Sequence, residues 1–402
     1  MKYKLSNRIA QVSDPPVERM NQVIRERIQV GLPIYNFGQA IADFCPPAEV
    51  MEQFSRWIRK DPHVHLYTSD AGMEELRTAI AADMTSEFRI SAASKVEPDE
   101  ILISAGANHA ATIVGLTFLE DGAKVGVFSP YFLNHTMLIE GLGGQVVPLL
   151  PDGKGVYDIE AIRRTIEREQ LRFLLLVNPA NPTGKCFAPS FLQRLVEICI
   201  HYEIVLVVDE VYERFLYKTD ATVPIHTIPG ALEATVTIRS FSKSFGMTGW
   251  RVGYIRAPKS LLSMMLKAQD FTQICAARPS QKLALELLTH HRNYPETFLP
   301  SLFQRRELAL CLLKNSECFD VCVEDGAFFL WCRPRNYKHS NYPSMELLKQ
   351  TGVCVIAGSA FGKEWSDWFR LSFGNASLKT LEAGIQRLIQ FHEGVFYEQA
   401  GD

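Results

Sequence analysis

The stretch Ser240-Phe241-Ser242-Lys243-Ser244-Phe245-Gly246-Met247-Thr248-Gly249-Trp250-Arg251-Val252-Gly253 sets one lysine among hydroxyls and follows it with glycines. Gly246 and Gly249 lack a Cβ and so let backbone pass close to a bulky neighbour; a lysine in that company suits a Schiff base. Such a lysine needs surroundings that favour its neutral form, because the ammonium is no nucleophile near neutral pH. Arg251 offers a neighbouring positive charge and a planar fork for phosphate oxygens, and Ser240 and Ser242 add hydroxyl donors. Any surface turn can have this composition, so the stretch alone reads equally well as a small-residue loop with one solvated lysine. The rest of the chain decides.

Beyond Pro98, short apolar runs alternate with helical patterns. The runs are Ile101 to Ser104, Val125 to Phe128, Gln145 to Pro148, Phe173 to Val177, Val205 to Asp209, Thr235 to Arg239 and Val252 to Ile255. Several are nearly continuous in Leu, Val and Ile, the composition of strands covered on both faces. They predict an α/β fold with a mostly parallel seven-stranded sheet. Upstream, Pro16 to Val30 reads as a helix stopped by Gly31, Met51 to Lys60 has helical period, and a loop from His65 to Gly72 leads into a helix from Met73 to Met84. From about Tyr294 the chain reads as a long helix, an extended stretch Val321 to Cys332, a helix near Met345 to Lys349, a strand Val353 to Ile356 and a final helix from Leu378. The expected division is an N-terminal segment 1–50 joining the small domain, a large domain 51–293 and a smaller α+β domain 294–402.

Composition narrows the function classes. At 402 residues, 47% hydrophobic and net charge -3, the chain reads as an ordinary soluble one, and nothing in its charge points to nucleic acid. No apolar run reaches the length of a membrane span, and the first residues lead into polar sequence rather than a signal peptide's apolar core. Nine scattered cysteines suit reduced thiols in a cytoplasm better than a disulfide framework. No zinc spacing is present: His63 and His65 flank Val64 without cysteine or carboxylate company and read as loop or strand histidines.

In such sheets ligands sit beyond the carboxyl ends of the strands, so the residues after each run matter. Ala105-Gly106-Ala107-Asn108 opens a helix whose free N–H groups and dipole suit a phosphate, a plain helix start being the alternative. Ser129-Pro130-Tyr131-Phe132-Leu133-Asn134-His135 brings rings and a histidine to the same edge, with core packing the alternative for the rings. Asn178-Pro179-Ala180-Asn181-Pro182-Thr183-Gly184 is a rigid, amide-rich turn. Asp209, with Tyr212 three residues on, ends a buried run where an unpaired carboxylate is costly, and so calls for a cation.

These residues in this order resemble the fold-type I, class I/II family of pyridoxal-5'-phosphate (PLP) aminotransferases, nearly end to end from Gly38 to Arg370-Leu371-Ser372-Phe373. The Asn-Pro-Ala-Asn-Pro-Thr-Gly, Asp-Glu-Val-Tyr and Ser-Phe-Ser-Lys motifs carry the resemblance jointly. It implies that Lys243 forms the Schiff base with PLP and later shuttles the substrate's proton. Asp209 is implied to pair with the pyridine nitrogen, and Asn181 and Tyr212 to bond the ring's 3'-oxygen. Phe132 matches the ring-stacking aromatic and His135 the histidine behind Asp209. The phosphate is implied to lie among the Ala107 and Asn108 backbone, Ser240, Ser242 and Arg251. Arg370 matches the clamp for the substrate's α-carboxylate, with Asn181 and the Gly38 backbone as helpers. Tyr67 matches a tyrosine that relatives contribute from the neighbouring subunit, which implies a homodimer.

Two departures bear on the substrate. Phe37-Gly38-Gln39-Ala40-Ile41-Ala42-Asp43-Phe44 looks like the entrance segment of glutamine and kynurenine-type aminotransferases but has Ala40 and Ala42 where Gly and Pro are usual, and Ala357 stands where Pro is common. Relatives specific for aspartate carry a second arginine; Arg278 lies in the right neighbourhood but outside the matching motif, and a structural role serves as well. The leading expectation is transfer of an α-amino group from an amino acid to a 2-oxo acid, with no metal. The alternatives are elimination, decarboxylation or oxidation of a specialised amino acid on the same cofactor, and a non-catalytic binding module on the same fold. The presence of the lysine, aspartate and arginines speaks against the last.

Overall fold

A computed structural model describes residues 3–87, 95–335 and 341–394. Its strands in chain order are β1 Tyr35–Asn36, β2 Ile101–Ser104, β3 Lys124–Phe128, β4 Gln145–Leu149, β5 Phe173–Val177, β6 Val205–Asp209, β7 Thr235–Ser240, β8 Gly253–Arg256, β9 Phe319–Cys322, β10 Phe329–Pro334, β11 Val353–Cys354, β12 Ile356–Ala357 and β13 Phe369–Ser372. The seven expected runs form one sheet in the order β2-β8-β7-β6-β5-β3-β4. Every pairing is parallel except those of β8, which runs against both β2 and β7. The central strands are the most apolar: each residue of β5 is buried, as are four of the five in β6, because helices cover both faces of a parallel sheet. Register sets Val177 beside Asp209 and Asp209 beside Ile238, so the turns after β5, β6 and β7 emerge side by side.

The second unit is a four-stranded antiparallel sheet, β12-β13-β10-β9, backed by helices Leu299–Asn315 and Leu378–His392. Part of the N-terminal segment contacts it: β1 pairs in parallel with β11, and Arg27 donates to the Lys349 carbonyl at 2.6 Å, whereas Arg8 pairs with Asp121 beside the large sheet. One apolar cluster runs from Phe37 and Phe44 through Tyr212 and Phe215 to Phe328, Phe373 and Phe391. It therefore underlies the turn after β6 and joins the two sheets.

Three sequence expectations change. The single strand Val353 to Ile356 is two short ones, β11 pairing with β1 and β12 with β13, because the chain crosses from one sheet to the other at the buried Val355. Val321 to Cys332 is two antiparallel strands, β9 and β10, joined through Asp325-Gly326-Ala327. The helix from Tyr294 begins as a 3₁₀ segment, Tyr294–Phe298, and becomes α-helical only from Leu299, with Pro295 and Pro300 each in a first turn, where a missing N–H costs nothing. Among the described residues, no helix is long and apolar enough to cross a membrane.

Candidate active site

Lys243 sits in the one-turn helix Phe241–Ser244 that follows β7 directly. Ser240 caps that turn, its hydroxyl oxygen accepting from the Ser242 amide at 3.1 Å and donating to the Ser242 hydroxyl at 2.9 Å. Phe241 and Phe245 anchor the turn in a buried apolar cluster. Lys243 is thereby left to line a cavity of about 310 Å³ together with Asp209, Tyr212, Asn181 and Phe132. Its amine donates to the Ala40 carbonyl. Burial, followed by the positive charges of Arg370 and Arg251, lowers its pKa to about 8, with Asp209 pulling the other way. A good fraction of the amine is thus neutral just above physiological pH.

The two glycines after Lys243 differ. Gly246 has φ +66°, and a Cβ there would stand 2.3 Å from the Phe44 carbonyl oxygen, so only glycine admits the entrance segment so close. At Gly249 a Cβ would meet nothing within 4 Å, so the close approach read into that residue does not exist.

Asp209 closes β6 with its carboxylate buried. Its Oδ2 stands 3.1 Å from His135 Nε2, and its Oδ1 accepts from the Val211 amide at 3.1 Å. His135 comes from the helix Leu133–Gly141, where Phe132 meets it edge-on at 5.2 Å. Tyr212 is buried against Phe328 and Phe329, and burial raises its phenol pKa.

At the far end of the cavity, Gly106 precedes helix Ala107–Phe118 with φ +82°. A Cβ on Gly106 would lie 2.5 Å from Arg251 NH2, so the guanidinium packs directly over the start of this helix. The first amides of a helix have no partner within it. With the hydroxyls of Ser240 and Ser242 and the Arg251 fork at the same cavity, this end suits a doubly charged anion.

Arg370 lies on β13, opposite Trp331 of β10 and Ile356 of β12. Its NH1 donates to Asn181 Oδ1 at 2.8 Å and its NH2 to the Gly38 carbonyl at 2.5 Å. The guanidinium packs on the rings of Phe329 and Phe361, 4.9 and 5.2 Å from their centroids. Its Nε, buried, meets no acceptor among the described residues, and burial pushes its pKa down to about 10. A buried cation with an unmatched donor has room for an anionic ligand.

Tyr67 lies apart from this cavity, 74% exposed. Arg278 holds its loop, Nε donating to the Leu66 carbonyl at 3.2 Å and NH2 to the Tyr67 carbonyl at 3.1 Å. That is the structural role the sequence left open. His63 and His65 fall in the 3₁₀ turn Pro62–His65, and among the described residues no group of three or more His, Cys, Asp or Glu could hold a metal. All nine cysteines are free thiols. Six residues that line the cavity were given no site role by the sequence reading: Ala40, Ile41, Asn134, Val177, Val211 and Thr248. All six lie in or beside the stretches quoted from the sequence, but no spacing distinguishes which side chain of a loop faces inward.

The chain is similar over most of its length to known proteins. The family described as aminotransferase class I and II matches residues 28–388. An aspartate aminotransferase of Musicola paradisiaca is 30% identical over 361 residues, 89% of this chain and 88% of its own length. An aromatic aminotransferase of Arabidopsis thaliana is 29% identical, covering 90% and 91%. Among solved structures, the aspartate aminotransferase of Thermus thermophilus with maleate superposes with a TM-score of 0.86 at 26% identity, covering 97% of this chain and all of that one.

Proposed function

The chain belongs to the aminotransferase class I and II family, PLP-dependent enzymes of amino-group transfer, and we propose that Lys243 is the residue through which it moves an α-amino group from an amino acid to a 2-oxo acid. The observation that carries this reading is the convergence of Lys243, Asp209 and Asn181 on one cavity, with Arg370 held behind it by its bond to Asn181. The donor set fits PLP: a carboxylate for a protonated ring nitrogen, a lysine amine near neutrality for an aldehyde, and amides, hydroxyls and a guanidinium for a phosphate.

When bound, PLP supplies a conjugated ring that takes up the electron pair left on the substrate's α-carbon. Asp209 would hold a proton at the ring nitrogen, and His135 keeps that carboxylate in place. Tyr212 and the amide nitrogen of Asn181, whose oxygen is committed to Arg370, would donate to the ring's 3'-oxygen. Phe132 would lie against the ring. The Ala107 and Asn108 amides, Ser240, Ser242 and Arg251 would hold the phosphate. Arg370, steadied by Asn181 and the Gly38 carbonyl, binds the substrate's α-carboxylate and orients its α-hydrogen. Lys243, its amine at the same cavity, would take up that proton and hold it for return.

The same reading extends to assembly and substrate. Tyr67 and Leu66, 74% and 57% exposed on a loop braced by Arg278, are assigned to a homodimer in which Tyr67 reaches the other copy's site. The amino donor is assigned to the classes for which the relatives are named, aspartate or aromatic amino acids. Residues 51–293 form the large cofactor-binding domain, and 1–50 with 294–402 the small one. Nine unpaired thiols accord with a cytoplasmic enzyme. Replacing Lys243 with Ala tests the core of this: the variant is expected to lose turnover together with the visible absorbance of lysine-linked cofactor. Full turnover by the variant without added amine refutes it.

A further inference from the structure

His109 is the third residue of helix Ala107–Phe118, and its ring reaches back over the start of that helix. Its Nδ1 lies 3.1 Å from the Ala105 amide nitrogen. A backbone amide only donates, so Nδ1 must accept. On the other side, Nε2 lies 2.9 Å from the Thr272 hydroxyl of helix Lys259–Gln273. The Thr272 proton is already committed, to the Ala268 carbonyl at 2.5 Å, so Thr272 accepts and Nε2 carries the hydrogen. Both ends therefore require the neutral Nε2–H ring. The contact resembles the back-reaching half of a capping box, in which a glutamate or glutamine at this helical position accepts from the amide before the helix. A titratable ring stands here instead.

We propose that His109 is a positioning residue that latches the phosphate-holding turn Ala105-Gly106-Ala107-Asn108 in its neutral state and releases it on protonation. This rests on the reading of that turn as the phosphate site. Protonation would put a second N–H on the ring facing the Ala105 N–H, and two donors cannot bond each other. The Ala105 amide would be left without its acceptor and the turn without its brace. A cation in the first turn is also opposed by the helix dipole. The ring does not line the cofactor cavity, so its charge gains no direct contact with a phosphate there.

The charged and titratable residues of the elements packed around this helix are Lys259, Lys267 and Asp270 on Lys259–Gln273, His135 and Glu140 on Leu133–Gly141, Arg239 on β7, Tyr254 and Arg256 on β8, and Arg251 over Gly106. Burial, rather than any of these, lowers the ring's pKa. The latch is accordingly closed at neutral pH. It weakens as pH falls below the ordinary imidazole value of about 6.5 and is fully open once pH is below the ring's own, lower value.

The test compares PLP retention by the full-length wild-type protein and by His109→Gln between pH 8 and pH 5, read as the rate of cofactor loss on dilution. Glutamine keeps an acceptor for Ala105 but does not titrate, and titrations of the cofactor itself cancel between the two proteins. Equal retention at pH 8 is expected. At acid pH wild type should shed PLP faster than the variant, by on the order of tenfold for each pH unit from about 6.5 down to the ring's own value and no further below it. Superimposable profiles, or wild type holding PLP better in acid, overturn the latch. If wild type fails to hold PLP even at pH 8, the cofactor reading itself falls. Should the variant not fold, nitrogen NMR of His109 in wild type decides: Nε2–H at neutral pH supports the latch, and Nδ1–H overturns it.

Discussion

Asn181 turns its amide oxygen to Arg370, accepting from NH1 at 2.8 Å across 189 residues of sequence. The turn after β5 and the small sheet are thereby tied at the point where the substrate's carboxylate is assigned, and Asn181 cannot be altered without loosening the clamp. Asn181→Ala is expected to raise the KM for the amino donor by roughly 5- to 150-fold, the equivalent of about 1–3 kcal/mol for stranding one partner of a buried bond. Steady-state kinetics check this. Arg370→Lys should cost at least as much, because an ammonium has no planar fork.

The amine of Lys243 supports a pH prediction. With a pKa of about 8 in the protein without cofactor, it is protonated and unreactive in acid and becomes nucleophilic as pH rises. The rate at which the apoprotein recombines covalently with PLP should therefore climb through a limb centred near pH 8. Arg370 is the largest charge acting to lower this pKa, so Arg370→Gln should move the limb to higher pH. A limb that stays put or moves down contradicts the assigned electrostatics.

Behind the site, Arg239 is wholly buried and bonds Glu210 through Nε at 2.9 Å and both oxygens of Glu87 at 3.2 and 3.0 Å. Removing one partner strands buried charge. Arg239→Met is expected to lose roughly 3–5 kcal/mol of stability, seen as a lower denaturation midpoint.

Gly246→Ala brings a Cβ to 2.3 Å from the Phe44 carbonyl in a left-handed backbone conformation. The expected loss is roughly 1–3 kcal/mol, with the entrance segment displaced. Gly249→Ala, which meets open space, should be close to neutral. The pair separates close backbone approach from a general intolerance of side chains in this loop.

Much of this was legible in the chain. The runs in β2, β5 and β6 announced themselves because strands buried on both faces need apolar residues at every position. Asp209 at the end of β6 and Lys243 in the turn after β7 stood out because charge is conspicuous after such runs. What stayed hidden depends on contacts between distant segments. Nothing near Lys243 tells of the Ala40 carbonyl 203 positions away, and nothing near Arg278 tells of the loop carbonyls it holds. His109 gave no signal because its role is set by which ring nitrogen faces an amide. The split of Val353 to Ala357 between two sheets was invisible for the same reason: each two-residue strand is defined by its partner.

The most direct test of the central claim is a single half-reaction. Protein loaded with PLP is mixed without air with one amino acid and no 2-oxo acid, and both the 2-oxo product and the cofactor absorbance are followed. Amino-group transfer predicts no more than one product per bound cofactor, with the visible absorbance bleached and restored when a 2-oxo acid is added. Product that keeps accumulating without an acceptor, or that forms only when air is admitted, would contradict it.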